Sequence, residues 1–183
     1  MARSASSRAR LVPRVPAPAE LDPGRLLGLL TARGVDYVLI GGLAAVLHGS
    51  AMLTQDVDIC FARDEGNLEA LAKALSELGA RLRGVGESVP FVPDRRTLER
   101  AELLTLDTSA GPLDLVSLPP GAPPYDVLRR RAQRLDLGAF AVASLEDLIA
   151  MKRMAGRPKD LVAIEELEAI VRLRGSKGRR RSR

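Results

Sequence analysis

Two aspartates one residue apart, Asp56 and Asp58, flank Val57 and lead into Ile59-Cys60-Phe61. Side chains of an extended strand alternate faces, so both carboxylates leave the same side. Two anions held that close call for a cation. Upstream, Gly41-Gly42 breaks the apolar segment 38–40 and precedes Leu43-Ala44-Ala45-Val46-Leu47, a short helical run. Glycine lets a backbone come close to a ligand, and the amides that open a helix are placed to receive an anion. Residues 38–61 therefore read as strand, glycine turn, helix, strand.

Other charged side chains fall where they could join this pair. Residues 103–107 and 112–118 read as a β-hairpin around Thr108-Ser109-Ala110-Gly111, with Asp114 inside its second strand between Leu113 and Leu115. A carboxylate there is costly unless a cation compensates it. Asp107 sits at the turn and is expected to cap it. Ser144-Leu145-Glu146-Asp147 has the form of a capping box, opening a helix that carries Lys152 and stops by Gly156. Arg157-Pro158-Lys159-Asp160 opens the next helix, with a proline in its first turn and an acid that suits the dipole. A lysine aimed at a metal face would neutralise triphosphate charge, and an acid such as Asp160 could orient that lysine or the base.

The elements that must position these groups follow in order. Asp22-Pro23 starts a helix with Leu26, Leu27, Leu29 and Leu30 on its apolar side, ended by Gly34. Residues 35–40 form the first strand. Leu68, Leu71, Ala72, Leu75 and Leu78 recur at helical spacing over 65–78, with Gly79 as the stop. Residues 80–100 mix glycine, proline and charge and are expected to be a loop. Its Arg95, Arg96 and Arg100 would face either a nucleotide or nucleic acid, or solvent. After a proline-rich connection, 119–124, residues 125–134 read as a helix with a basic cluster of Arg129, Arg130, Arg131 and Arg134. Residues 135–137 and 140–143 are expected to pair as two more strands. His48 ends the short helix, where the dipole favours a cation.

A chain of 183 residues has room for one core. Although 46% of it is hydrophobic, it has no apolar run of the ~18–20 residues a membrane span needs, and no secretory signal is evident. Its one cysteine, Cys60, excludes an internal disulfide and a Cys-based zinc site, fits a reducing cytoplasm, and reads as a small buried apolar residue. The net charge of +5 is unevenly spread: residues 1–14 carry four arginines and 172–183 carry seven basic residues, with no acid in either. Removing those 11 from the 28 Lys and Arg leaves 17 against 23 acids, a net −6 for residues 15–171. The ends read as solvated tails or as arms that grip phosphates. The expected organisation is a flexible basic leader, 1–20, a core, 21–143, a C-terminal helical pair packed on it, 144–173, and a disordered basic tail, 174–183.

In the order glycine pair, Asp-Val-Asp, strand aspartate, the sequence resembles the nucleotidyltransferase superfamily. The segment LIAMKRMAGRPKDLVAIEEL, with Lys152 followed by Arg157, Lys159 and Asp160, resembles AbiEii-type toxin nucleotidyltransferases within it. The resemblance implies a polymerase-β-like α/β fold, a small mixed sheet flanked by helices, with C-terminal helices. It implies that Asp56, Asp58 and Asp114 hold metal, two Mg2+ ions or Mn2+ in their place, and that Lys152 and Asp160 complete the catalytic set. Gly41, Gly42, Thr54, Lys152, Arg157 and Lys159 would bind the nucleoside triphosphate. The implied acceptor is the 3′ end of tRNA, and the implied partner a cognate antitoxin protein. The family often carries an arginine two residues before the threonine; Met52 stands there in this chain. Two other readings are a nucleotidyltransferase acting on a small molecule or a protein hydroxyl, and a catalytically silent binding partner. Aromatics are only 3% of the chain, so Tyr37, Phe91 and Tyr125 are base-stacking candidates by scarcity alone.

Overall fold

Pro23 cannot donate a backbone hydrogen bond and Asp22 can accept one, which sets the start of helix α1 (Pro23–Ala32): Asp22 Oδ1 accepts from the Arg25 amide at 2.9 Å. Leu26, Leu27 and Leu30 are its buried side. The computed structural model describes residues 19–85, 90–135 and 140–181, the last five by backbone alone. The basic leader up to residue 18 therefore lies outside the described residues.

From α1 the chain runs into β1 (Tyr37–Ile40), buried throughout, then α2 (Gly41–Leu47) and β2 (Val57–Phe61). Strands β1 and β2 pair antiparallel with Ile40 opposite Asp58. Helix α3 (Glu65–Glu77) starts at Asp64, and its Asn67 side chain ties the two strands together. Asn67 Oδ1 accepts from the Asp36 amide at 2.7 Å, and Nδ2 donates to the carbonyls of Asp36 and Ala62 at 3.0 and 2.7 Å.

Residues 80–100 are more ordered than a loop. A two-residue edge strand, β3 (Arg81–Leu82), and a short helix, α4 (Arg95–Arg100), lie within them, while 86–89 fall outside the described residues. The helix forms because Asp94 Oδ1 accepts from the Thr97 amide at 2.7 Å and Leu98 is fully buried. The hairpin is β4 (Leu103–Thr108) and β5 (Gly111–Val116). Its turn is fastened by Thr108, whose Oγ1 donates to the Gly111 carbonyl at 2.7 Å. Asp107, expected to cap that turn, is instead buried in β4 and paired with Arg83.

Helix α5 (Tyr125–Arg131) stops short of Arg134, which lies in β6 (Gln133–Arg134) paired with β7 (Ala141–Val142). The first of these strands thus precedes residues 135–137, part of which lie outside the described residues. The expected basic cluster is also dispersed: Arg129 pairs with Asp36 at 2.7 Å, Arg130 with Asp126 at 2.8 Å and Arg131 with Asp147 at 3.2 Å. Helices α6 (Leu145–Ala155) and α7 (Pro158–Arg181) follow, the first capped by Ser144 and closed by Gly156 at φ 62°. Helix α7 continues through residues assigned above to a tail, and its Arg174 reaches the residue at the end of α2.

Among the described residues the seven strands form one mixed sheet in the order β3-β4-β5-β2-β1-β7-β6. Its centre, with β2 between antiparallel β1 and parallel β5, is apolar on Leu39, Ile59, Leu113 and Leu115, all buried. Among the described residues no helix is long and apolar enough to cross a membrane.

Candidate active site

Because β2 and β5 are parallel and in register, Asp58 stands directly beside Asp114. Aligned residues on neighbouring strands share a face. Asp56 occupies the bend just before β2 and joins them; one oxygen from each of the three carboxylates lies within 4.8 Å of the others. Such crowding disfavours ionisation. Burial, and then the charges of Asp56 and Asp114, push the Asp58 carboxyl up to about 6, opposed by a hydrogen bond from the Gly42 amide and by Lys152. Asp114 is also raised, by burial first, with Arg83 pulling the other way. Its Oδ1 is buried and ion-paired with Arg83 Nη2 at 3.0 Å. Three carboxylates gathered this closely, two of them held above their ordinary range, fit a hard divalent cation, whose ligands are carboxylate oxygens.

The glycine pair has a structural reason that the sequence left open. Gly41 has φ 68°, and a Cβ there would fall 1.9 Å from Asp58 Oδ2; a Cβ on Gly42 would fall 2.6 Å from Thr54 Oγ1. The turn is bare so that Asp58 and Thr54 can lie against it. Thr54 Oγ1 is 3.1 Å from both the carbonyl and Oδ1 of Asp56, which fixes the first aspartate from its own loop.

The same cleft is lined by cations from Lys152 of α6, Arg157 of the connection and Lys159 of α7. Lys152 Nζ lies 3.6 Å from Asp160 Oδ1, and Arg157 closes a fork on the same carboxylate at 2.6 and 3.2 Å. Asp160 is 1% exposed. The Arg157 bonds, with Lys152 adding, hold its carboxyl below the usual range, so it is an ionised anchor for both cations. The cleft that these groups share is about 630 Å3, of the size that holds a small-molecule ligand. Asp56, Asp58, Asp114, Gly41, Gly42, Thr54, Lys152, Arg157, Lys159 and Asp160 all line it, as does Met52.

Other candidates go elsewhere. Arg95 pairs with Glu65 at 2.9 Å. Cys60 is buried, its thiol pushed up to about 12 by burial. His48 is also buried, with Nε2 2.8 Å from the Ala143 carbonyl and Nδ1 3.3 Å from Arg174 Nη1. Burial, with Arg174 adding, lowers its pKa, so it is a neutral joint rather than a dipole-favoured cation. Arg83 is the residue that sequence reasoning missed. It lies in a stretch without periodicity, and its partners Asp107 and Asp114 become visible only once β4 and β5 are paired.

The chain matches the family described as "Nucleotidyltransferase of unknown function (DUF6036)" over residues 26–174. It belongs to that family. No curated protein matches it. The span of this nucleotidyltransferase that matches runs from α1 into α7 and contains every residue that lines the cleft.

Proposed function

We propose that this nucleotidyltransferase transfers a nucleotidyl group from a nucleoside triphosphate to an acceptor hydroxyl and releases pyrophosphate. The observation that carries the reading is the convergence of three carboxylates from β2, its preceding bend and β5 in a cleft that Lys152, Arg157 and Lys159 also line. Asp56, Asp58 and Asp114 are the residues that would hold Mg2+, or Mn2+ in its place. When bound, the metal supplies charge neutralisation and acidifies the acceptor hydroxyl.

The acceptor oxygen attacks the α-phosphorus, the bond from that phosphorus to the bridging oxygen breaks, and pyrophosphate departs. Asp114, aligned with Asp58 on the neighbouring strand, receives the acceptor proton. Lys152, Arg157 and Lys159 take the β- and γ-phosphates, where negative charge accumulates. Asp160 keeps the first two of these cations in place. Catalysis of this kind is positioning and electrostatics rather than covalent chemistry.

For the acceptor, the resemblance to AbiEii-type toxins supports the 3′ end of tRNA. The protein would then be the toxin of a toxin–antitoxin pair, acting in the cytoplasm, blocking translation and held in check by a cognate antitoxin. A second reading, a small-molecule or protein hydroxyl, is favoured by the apolar mouth of the cleft, where Leu53 is 98% and Leu103 57% exposed. Labelled triphosphates incubated with Mg2+ and with separate RNA, protein and metabolite fractions decide between them. Label is expected in tRNA; label found only in the other fractions overturns the toxin reading.

A further inference from the structure

The loop between α2 and β2 supplies one wall of the cleft through Met52, Leu53 and Thr54, and delivers Asp56 to the carboxylate cluster. It has no regular structure. Its far end is fixed locally, by Thr54 against Gly42 and Asp56. Its near end is fixed from α7, by Glu166. Glu166 Oε2 accepts from Ser50 Oγ at 2.6 Å and Oε1 accepts from the Ala51 amide at 2.7 Å. Ser50 Oγ also lies 3.2 Å from the Met52 amide, which donates to it. One carboxylate, with both oxygens in use, thus satisfies three donors or relays to them at the start of the loop. Charge-assisted bonds of this kind are the stronger class.

Helix α7 is suited to be the support. Ala163 and Leu167, on either side of Glu166, are buried in the core. One end of the helix carries Asp160, which holds Lys152 at the cleft, and further along Arg174 Nη2 donates to the His48 carbonyl at 3.0 Å, just ahead of the loop. The same rod therefore supports both the loop and Lys152, which line the cleft.

We propose that Glu166 is a positioning residue, fixing the start of the 50–55 loop so that the part of the cleft wall formed by Met52 and Leu53 is in place before substrate arrives. Its kinetic consequence rests on the nucleotidyl-transfer reading. A loop released at one end must be ordered by the substrate, which weakens binding of ground state and transition state alike. Asp56 is still held by Thr54 and by β2, so the chemical step is spared.

The test uses the full chain and the variants Glu166→Ala, Glu166→Gln and, as a control on the exposed side of the same helix, Glu165→Ala. In Glu166→Ala the Ala51 and Met52 amides are expected to exchange hydrogen at least about tenfold faster, with β2 and α6 amides unchanged. KM for the triphosphate rises about tenfold while kcat stays within about threefold. Glu166→Gln, which keeps the shape and one acceptor oxygen, falls between, and Glu165→Ala matches the parent. If Glu166→Ala melts early, Glu166→Gln decides. Wild-type exchange at Ala51 and Met52 in both variants, or a fall in kcat at constant KM, overturns the proposal. If the parent transfers no nucleotide at all, the functional reading fails and the exchange measurement alone judges the latch.

Discussion

Asp58→Asn is expected to make the metal-free protein more stable at pH 8 while reducing nucleotidyl transfer by about a thousandfold, the scale at which loss of one preorganised electrostatic group is felt. The Asp58 carboxyl is raised from 3.8 to about 6 by burial and by its two acidic neighbours. In the unfolded chain it is free of both. Between those values the folded state binds the proton more tightly than the unfolded state, so stability is fully present below about pH 4 and falls as pH rises through about 6. At pH 8 the ionised group costs roughly 2–3 kcal/mol, and the neutral amide removes that cost. Urea unfolding in the presence of a chelator should show a higher midpoint for the variant at pH 8 and similar midpoints for both proteins at pH 4. Adding Mg2+ at pH 8 should then raise the midpoint of the parent and leave the variant unchanged. A variant less stable than the parent at pH 8 would mean that the Asp58 charge is already compensated by the protein.

The second large effect is expected from Gly41→Ala. A Cβ at Gly41 meets the whole Asp58 side chain, at 1.9 Å from Oδ2, 2.5 Å from Cγ and 2.8 Å from Cβ. Rotating the carboxylate does not relieve a contact with its Cβ, so the strand or the turn must move. The backbone adds its own penalty, since φ is 68°, which costs a residue with a side chain about 1–2 kcal/mol. Gly34→Ala provides the matched control. Gly34 has φ 71° and nothing within 4 Å of its ideal Cβ, so it carries the backbone penalty alone. Gly41→Ala should therefore lose about 3–4 kcal/mol in urea unfolding, from conformational strain plus overpacking, against about 1–2 kcal/mol for Gly34→Ala. It should also lose at least a hundredfold in kcat/KM, because a displacement of about 1 Å in a catalytic group has that effect. Equal stability losses in the two variants would mean that the turn yields easily and that Asp58 is not packed against it.

The parts of the site that could be read from sequence are those with a local signature. Asp58 is legible from strand alternation, which also points to Asp56 although it lies in the bend before β2, and Asp114 from a charge inside a hairpin, whereas Lys152 and Asp160 are legible through the resemblance of their segment to AbiEii-type enzymes. The three carboxylates need only neighbouring residues to be recognised. What was missed depends on pairing between distant segments. Asp107 was assigned to its turn by local chemistry, but the adjacent Thr108 fastens that turn and Asp107 faces Arg83 on the edge strand. Arg129 and Arg131 looked like a free basic cluster because Asp36 and Asp147, which hold them, are remote in sequence. The Glu166 latch was invisible for the same reason: Ser50 and Glu166 are 116 residues apart. Helix α4 has no apolar period of its own in a stretch where glycine, proline and charge alternate; the Asp94 cap and the burial of Leu98 make it. The glycine pair was legible as a motif, but its physical cause, the approach of Asp58 and Thr54, required coordinates.

The most direct measurement is a comparison of triphosphates labelled at the α- and the γ-phosphate, incubated with the protein, Mg2+ and the total RNA fraction. Label from the α position should appear in RNA, label from the γ position should appear only in pyrophosphate, and both signals should vanish in Asp58→Asn. Transfer of the γ label to the acceptor, or undiminished transfer by Asp58→Asn, would contradict the carboxylate cluster as a centre for nucleotidyl transfer.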